Sequence, residues 1–154
     1  MLDVIRERRV AAPPERLWPL VSNPARLPDW FTFARSGEVL DGEGVGRRQR
    51  MHGEWGRKRS EIDQEVVEFD PPRRIAWVHL AERLDGKPAP RFAACTWFTI
   101  DLVPDGSGTR VHLHSAQTPA SPLRGLVMRL FGTREIADNL ERSLDRLAAT
   151  PEGD

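Results

Sequence analysis

The chain has 154 residues, and its 23 lysine and arginine side chains are balanced by 23 aspartates and glutamates. This balance excludes the global electrostatic field that would attract a nucleic acid or an anionic membrane to the whole surface. A chain of this length can bury about 70% of the surface that it exposes when unfolded. We therefore predict one domain over residues 1–150, followed by a tail at 151–154.

Cysteine usage and the N-terminal segment bear on the compartment. Cys95 is the only cysteine, so no internal disulfide can form and a reducing environment is favoured. The N-terminal segment is rich in charge, which is not the pattern of a signal peptide. No stretch approaches the roughly eighteen apolar residues of a membrane span. We expect a cytoplasmic protein without a membrane span.

The first part of the chain predicts one strand followed by two short helices. Residues 2–10 mix apolar and charged positions, as in a strand at the edge of a sheet. Pro14 opens a helix over 15–21, and Pro19 keeps that helix short or bent. An Asn-Pro pair ends it, and residues 25–30 predict a second short helical turn.

From residue 32 onward the pattern changes to strands and turns, with a polar, proline-containing loop at 85–90. The predicted strands cover residues 34–40, 46–52, 57–69, 75–80, 93–103 and 109–118. In the strand at 57–69, one face carries Ser60, Ile62, Gln64 and Val66, and the other carries Arg59, Glu61, Asp63 and Glu65. This period of two predicts a sheet with one covered face and one wet face.

Residues 121–150 predict one long terminal α-helix, which Ser121 and Pro122 would start and Pro151 would end. Its apolar and small residues recur at alternating spacings of three and four, which places them on one stripe. The stripe consists of Leu123, Leu126, Leu130, Thr133, Ala137, Leu140, Leu144 and Leu147. Its centre is small, which leaves two interpretations open: room for a ligand, or a tight crossing over strands.

The element order, with antiparallel strands and the helices on one face, predicts an α+β fold. Four segments also carry a resemblance to a known superfamily. They are Ala12-Pro13-Pro14-Glu15-Arg16-Leu17-Trp18, Leu27-Pro28-Asp29-Trp30, Asp70-Pro71-Pro72-Arg73-Arg74-Ile75-Ala76-Trp77 and Asp105-Gly106-Ser107-Gly108-Thr109-Arg110-Val111. Together with the terminal helix, they make residues 2–149 resemble the START and Bet v 1-like (SRPBCC) superfamily. Within it, the chain looks most like the polyketide cyclase/dehydrase-like group.

The resemblance implies a helix-grip fold, in which a curved antiparallel sheet wraps around the terminal helix and leaves an elongated apolar cavity. It implies lipids, sterols, polyketides or other hydrophobic molecules as ligands, and cyclisation or dehydration in some members. No metal or organic cofactor is common to the superfamily, so we expect none here. Fold alone does not establish function.

The strand alternation and the helical stripe together predict which residues would line that cavity. From the sheet these are Ile62, Gln64, Val66, Ile75, Trp77, His79, Phe98, Ile100, Val111, Leu113, Ser115 and Gln117, and from the helix Leu126, Leu130, Thr133 and Ala137. Apolar walls with a few polar groups suit a small-molecule site, because burial supplies affinity and sparse hydrogen bonds fix orientation. The alternative is a core filled by these same side chains.

His79 is the candidate catalytic residue, because histidine exchanges protons near neutrality and its strand neighbours are apolar. Gln64, Ser115 or Gln117 could orient a carbonyl beside it. A purely structural histidine is the alternative. His112 and His114 share the opposite face, and two imidazoles without a third ligand do not make a zinc site, so no metal is expected.

A hairpin near the middle of the chain is rich in cations and could contact a phosphate backbone. It carries Arg47, Arg48, Arg50, Arg57, Lys58 and Arg59, with Trp55 among them. Nearby acidic residues would neutralise much of this charge, so we do not expect nucleic-acid binding.

Three hypotheses follow: binding, transport or sequestration of a hydrophobic molecule; a polyketide cyclase or dehydratase; and an RNA- or protein-interaction module. The first is preferred. The oligomeric state stays open.

Overall fold

The computed structural model describes residues 2–89 and 93–150. The tail predicted at 151–154 lies outside the described residues. The described strands are β1 (Leu2–Val10), β2 (Ser36–Asp41), β3 (Arg48–Trp55), β4 (Lys58–Asp70), β5 (Arg74–Leu84), β6 (Lys87–Pro88), β7 (Ala93–Asp105) and β8 (Gly108–Pro119). The helical segments are α1 (Pro14–Ser22), a 3₁₀ helix (Pro24–Asp29), α2 (Pro122–Val127), a π-helical turn (Met128–Gly132) and α3 (Thr133–Ala149).

The strands form one antiparallel sheet in the order β1-β8-β7-β5-β4-β3-β2, and the short β6 pairs with β5. A single open sheet with the helices on its inner face confirms the predicted α+β helix-grip fold. The two short helices after β1 are also confirmed. The sequence pattern missed β6, because two exposed residues in a polar segment show no periodicity.

The register of the strands defines the two faces of the sheet. Val66 lies opposite Trp77, and Trp77 lies opposite Phe98, so these buried side chains point to the same inner side. The outer face of β3, β4 and β5 carries ion pairs instead, such as Arg50 with Asp63 at 2.7 Å and Arg83 with Asp63 at 2.9 Å. The predicted division of β4 into a covered and a charged face is therefore confirmed.

The two short helices are fastened to the inner side of the sheet. Leu17 and Leu20 of α1 are fully buried, and Trp30 Nε1 donates a hydrogen bond to the Leu20 carbonyl oxygen at 2.8 Å. The following segment approaches the backbone of β3 closely, because a Cβ atom built on Gly53 would lie 2.5 Å from the Phe33 carbonyl oxygen. Glycine is required at position 53 because there is no space for a larger side chain.

The predicted terminal helix is confirmed over residues 122–149, but a π turn interrupts its α-helical hydrogen bonding, so the prediction of one uninterrupted leucine stripe was wrong. Its hydrogen-bonding pattern changes at residues 128–132, where the Thr133 N–H donates to the Met128 carbonyl oxygen, five residues back. A π turn adds one residue and so rotates the preceding segment by about 100° relative to α3. The three-and-four spacing of the leucines therefore does not continue on one face through the turn.

The burial of the helix follows this shifted register. Met128, five residues before Thr133, is only 7% exposed. Gly125, three residues before Met128, packs against Pro119. The leucines of the stripe that precede Thr133 are turned outward. Their exposed fractions are 71% for Leu123, 52% for Leu126 and 62% for Leu130.

The main core lies under the second half of the terminal helix. Leu140, Leu144 and Leu147 are at most 2% exposed and pack with the inner residues of the sheet. Each leucine contributes about 1.5–3 kcal/mol when fully buried. Arg6 and Arg8 on β1 form ion pairs with Glu141 and Asp145, which align α3 along the edge of the sheet.

Candidate functional site

The inner face of the sheet is apolar at its centre. Trp77 and Phe98 are stacked with their ring centroids 5.2 Å apart, and Phe31 packs on both rings at 6.3 and 5.2 Å. Phe31 comes from the segment after the 3₁₀ helix, so it enters the sheet from a distant part of the chain. Aromatic contacts of this kind combine large buried area with a preferred geometry.

Most of the predicted lining residues share this inner face. Those that are at most 6% exposed are Gln64, Val66, Ile75, Trp77, Phe98, Ile100, Val111, Leu113 and Ser115. Phe31 and the leucines of α3 occupy the space beside the apolar ones. In the structure as described, side chains thus fill the central part of the predicted cavity.

The inner face becomes more polar toward the end where β8 leads into α2. Gln64 lies opposite His79, while Gln117 lies opposite Thr96 and Leu2. Ile62, Gln117 and His79 are half-buried there. The sheet therefore has an apolar centre with several hydrogen-bonding groups at one end, which is the composition that a small-molecule site uses.

His79 has a carboxylate partner on the same strand. A register shift next to Gln64 brings His79 and Glu82 to the same face, with Nδ1 of His79 3.2 Å from Oε1 of Glu82. Because a carboxylate accepts hydrogen bonds, this pairing puts the proton of a neutral imidazole on Nδ1 and leaves Nε2 as an acceptor. The sequence alone did not indicate Glu82, since its side chain falls on this face only through the shift.

A chain of three polar side chains crosses β3 and β4 on the inner face. Arg47 donates from Nη2 to the Ser22 carbonyl oxygen at 2.7 Å and to Oε1 of Gln49 at 2.8 Å. Gln49 in turn donates from Nε2 to Oε1 of Gln64 at 2.7 Å. Gln49 and Gln64 are at most 1% exposed. Burial lowers the pKa of the Arg47 guanidinium from its ordinary value.

The terminal helix also contributes residues at this end of the sheet. Ala137 is buried and Thr133 is half-buried, with its hydroxyl donating to the Arg129 carbonyl oxygen at 3.1 Å. Leu126 and Leu130 lie largely in solvent, whereas Met128 is buried. An open groove of about 550 Å³ runs beside α2. It is lined by Pro119, Ala120, Ser121, Pro122, Gly125, Leu126 and Arg129.

The whole chain matches one protein family. Residues 1–152 match the family described as polyketide cyclase / dehydrase and lipid transport. The chain belongs to this family.

Solved structures agree with this membership of the polyketide cyclase / dehydrase and lipid transport family. TTHA0849 from Thermus thermophilus is 25% identical, with a TM-score of 0.73 over 96% of this chain and 94% of that one. XoxI from Bacillus cereus is 17% identical, with a TM-score of 0.73 over 96% and 94%. Ara h 8.0201 is 13% identical, with a TM-score of 0.67 over 96% and 98%. These likenesses show that the chain shares the fold of these proteins. No protein of the curated set matches.

Two further histidines of this family member, His112 and His114, lie on the outer face. His112 Nδ1 is 3.1 Å from Glu7, and His114 Nε2 is 2.8 Å from Asp3. Within residues 2–89 and 93–150, no group of three histidine, cysteine or acidic side chains is placed to hold a metal ion. None of the helices in that part of the chain is long and apolar enough to cross a membrane.

Several cations of the basic hairpin have partners within the protein. Arg48 lies 3.7 Å from Glu65, Arg50 lies 2.7 Å from Asp63, and Arg47 belongs to the buried polar chain. Exposed pairs of this kind are weak, but they neutralise the local charge. The hypothesis of an RNA- or protein-interaction module gains no support from this arrangement.

Proposed function

We propose that the protein binds a small hydrophobic molecule, such as a lipid or a polyketide, between its sheet and the first half of the terminal helix. Transport or sequestration would follow from binding. The observation that carries this proposal is that the terminal helix seals only one end of the sheet. Leu140, Leu144 and Leu147 are buried, whereas Leu126 and Leu130 are more than half exposed and Leu126 lines a groove.

The exposure of these leucines supports the same proposal. Several exposed apolar side chains on one short segment are typical of a binding surface, because the core does not bury them. The π turn is a natural place for the segment to bend, and such turns occur frequently at functional sites. A rotation of residues 121–132 would bring the leucines over an apolar ligand on the inner face of the sheet.

Native mass spectrometry of the freshly purified protein tests the proposal first, with any bound mass identified after denaturation. A reproducible apolar adduct supports it. Ala137→Trp then places a bulky ring between helix and sheet and should abolish uptake in a folded protein. Ala149→Trp is the matched control, because Ala149 is exposed on the same helix. Undiminished uptake by Ala137→Trp would contradict binding at this place.

A cyclase or dehydratase activity is the second candidate, and the His79 and Glu82 pair favours it. In an aldol-type closure, Nε2 of His79 would take the proton next to a ketone, and the Gln64 amide would hydrogen-bond to the developing enolate oxygen. Positioned proton transfer of this kind typically accelerates a reaction by about 10²–10⁴-fold. Glu82 would hold the imidazole in the required tautomer.

A linear diketone such as heptane-2,6-dione tests this activity, because closure and loss of water produce an ultraviolet-absorbing cyclohexenone. His79→Ala should reduce the turnover rate by about 10²-fold or more. His112→Ala is the matched control, since His112 lies on the outer face. Equal rates for wild type and His79→Ala would end the enzyme hypothesis and leave the binding proposal intact.

A further inference from the structure

We propose that the ligand carries an oxygen that accepts a hydrogen bond, a carbonyl or hydroxyl oxygen, and that this oxygen binds Nε2 of Gln64. Arg47 and Gln49 are positioning residues that turn the Gln64 amide so that it presents its donor. This inference rests on the proposed binding function and narrows it to a class of ligand: an apolar molecule with an acceptor oxygen.

The direction of the hydrogen-bond chain follows from its first member. A guanidinium has only donors, so the Gln49 amide must turn its oxygen toward Arg47. The Gln49 NH₂ group is then on the other side, where it donates to the oxygen of Gln64. The Gln64 NH₂ group is therefore the last donor of this hydrogen-bond chain. The two amide orientations are thus determined by Arg47.

The last donor of this hydrogen-bond chain, the Gln64 NH₂ group, is buried but has no partner in the described part of the protein. Gln64 is fully buried, and its Nε2 has no hydrogen-bond acceptor in the described part of the chain. Burial of a donor without a partner is unfavourable, and native proteins rarely leave one unpaired. The Gln64 oxygen is already paired, because it accepts the hydrogen bond from Gln49, so only the NH₂ group lacks a partner. A glutamine here is explained if a ligand supplies the acceptor.

The surroundings of Gln64 define the rest of the ligand. Val66 and Trp77 lie beside it on the inner face, and His79 lies directly opposite on β5. An apolar body would contact the first two, while the oxygen meets the amide. A pure hydrocarbon leaves the donor unpaired, and an ammonium group would place a second donor against it.

Two compounds of equal shape separate this inference from general hydrophobic binding. 2-Acetylnaphthalene and 2-isopropenylnaphthalene differ only in having a carbonyl oxygen or a methylene group at one position. Calorimetry should show that wild-type protein binds the ketone about 3–10-fold more tightly than the alkene, the size expected of one hydrogen bond. Equal affinities would overturn the inference and mean that water satisfies the amide, while the proposed function would stand. If neither compound binds, the proposed function fails and the inference with it.

Variants identify the residues responsible for the ketone preference. Gln64→Met removes the donor and should reduce the affinity ratio to about one. Arg47→Met releases the Gln49 amide to rotate, which should lower the ratio without touching the ligand, and Arg47→Lys should restore it. Arg48→Met, on the exposed neighbouring residue, is the matched control. A ratio that stays at the wild-type value in both Gln64→Met and Arg47→Met would refute the assignment.

Discussion

Replacing Leu140 by alanine measures how much the second half of the terminal helix contributes to stability. Leu140 is fully buried in the main core, so the change removes all of its contacts and leaves a cavity. Substitutions of this kind cost about 2.7–5 kcal/mol. Leu130 is 62% exposed, so only the remaining third or so of its surface is in contact. Leu130→Ala should therefore cost less than about 1 kcal/mol.

Urea unfolding followed by circular dichroism gives both values under the same conditions, provided that the slopes of the transitions agree. A difference of about 3 kcal/mol corresponds to roughly 6–12 °C in Tm for a chain of this size. Met128→Ala is the third member of the series and should cost more than Leu130→Ala, because Met128 is 7% exposed. Equal losses for Leu130 and Leu140 would refute the rotated register and restore a single leucine stripe.

Two further predictions concern the sheet. Hydrogen bonding from Arg50 holds the pKa of Asp63 at about 2, below its ordinary 3.8, so the stabilisation is complete above pH 3.8 and is lost as the pH falls toward 2. Asp63→Asn should remove that pH dependence from urea midpoints, with a loss on the order of 1–2 kcal/mol near neutrality after allowance for solvent screening. Gly53→Ala should destabilise by about 1–3 kcal/mol, because its Cβ atom would lie 2.5 Å from the Phe33 carbonyl oxygen. Thermal unfolding checks this, with Gly132→Ala, which has space for a methyl group, expected to be neutral or slightly stabilising.

Much of the sheet could be predicted from the sequence because strand periodicity is a local property. Successive side chains in a strand alternate between faces, so Ile62, Gln64 and Val66 had to point the same way whatever their partners were. The pairing of Val66 with Trp77 and of Trp77 with Phe98 then placed the predicted inner residues together. Strand ends shifted by a few residues, because hydrogen bonding to the neighbouring strand decides where a strand stops.

The terminal helix shows where local spacing is insufficient. An α-helix and an α-helix with one π turn have the same local sequence requirements, and one inserted residue changes which face is buried. Leu126 and Leu130 were therefore predicted as lining residues, while in the structure Met128 is buried and Gly125 packs against Pro119. The glycine that contacts Pro119 is a signal visible in the sequence, but its meaning depends on that contact.

The sequence by itself determined the fold class, the faces of the strands and most of the inner side chains of the sheet, since each follows from periodicity and turn chemistry within short segments. Only the tertiary structure decided what those side chains meet. Phe31 reaches Trp77 and Phe98 from another part of the chain, and Arg47 orients Gln64 through Gln49. Such contacts join residues that are distant in sequence, so their geometry is set by the packing of the helices on the sheet rather than by any local pattern.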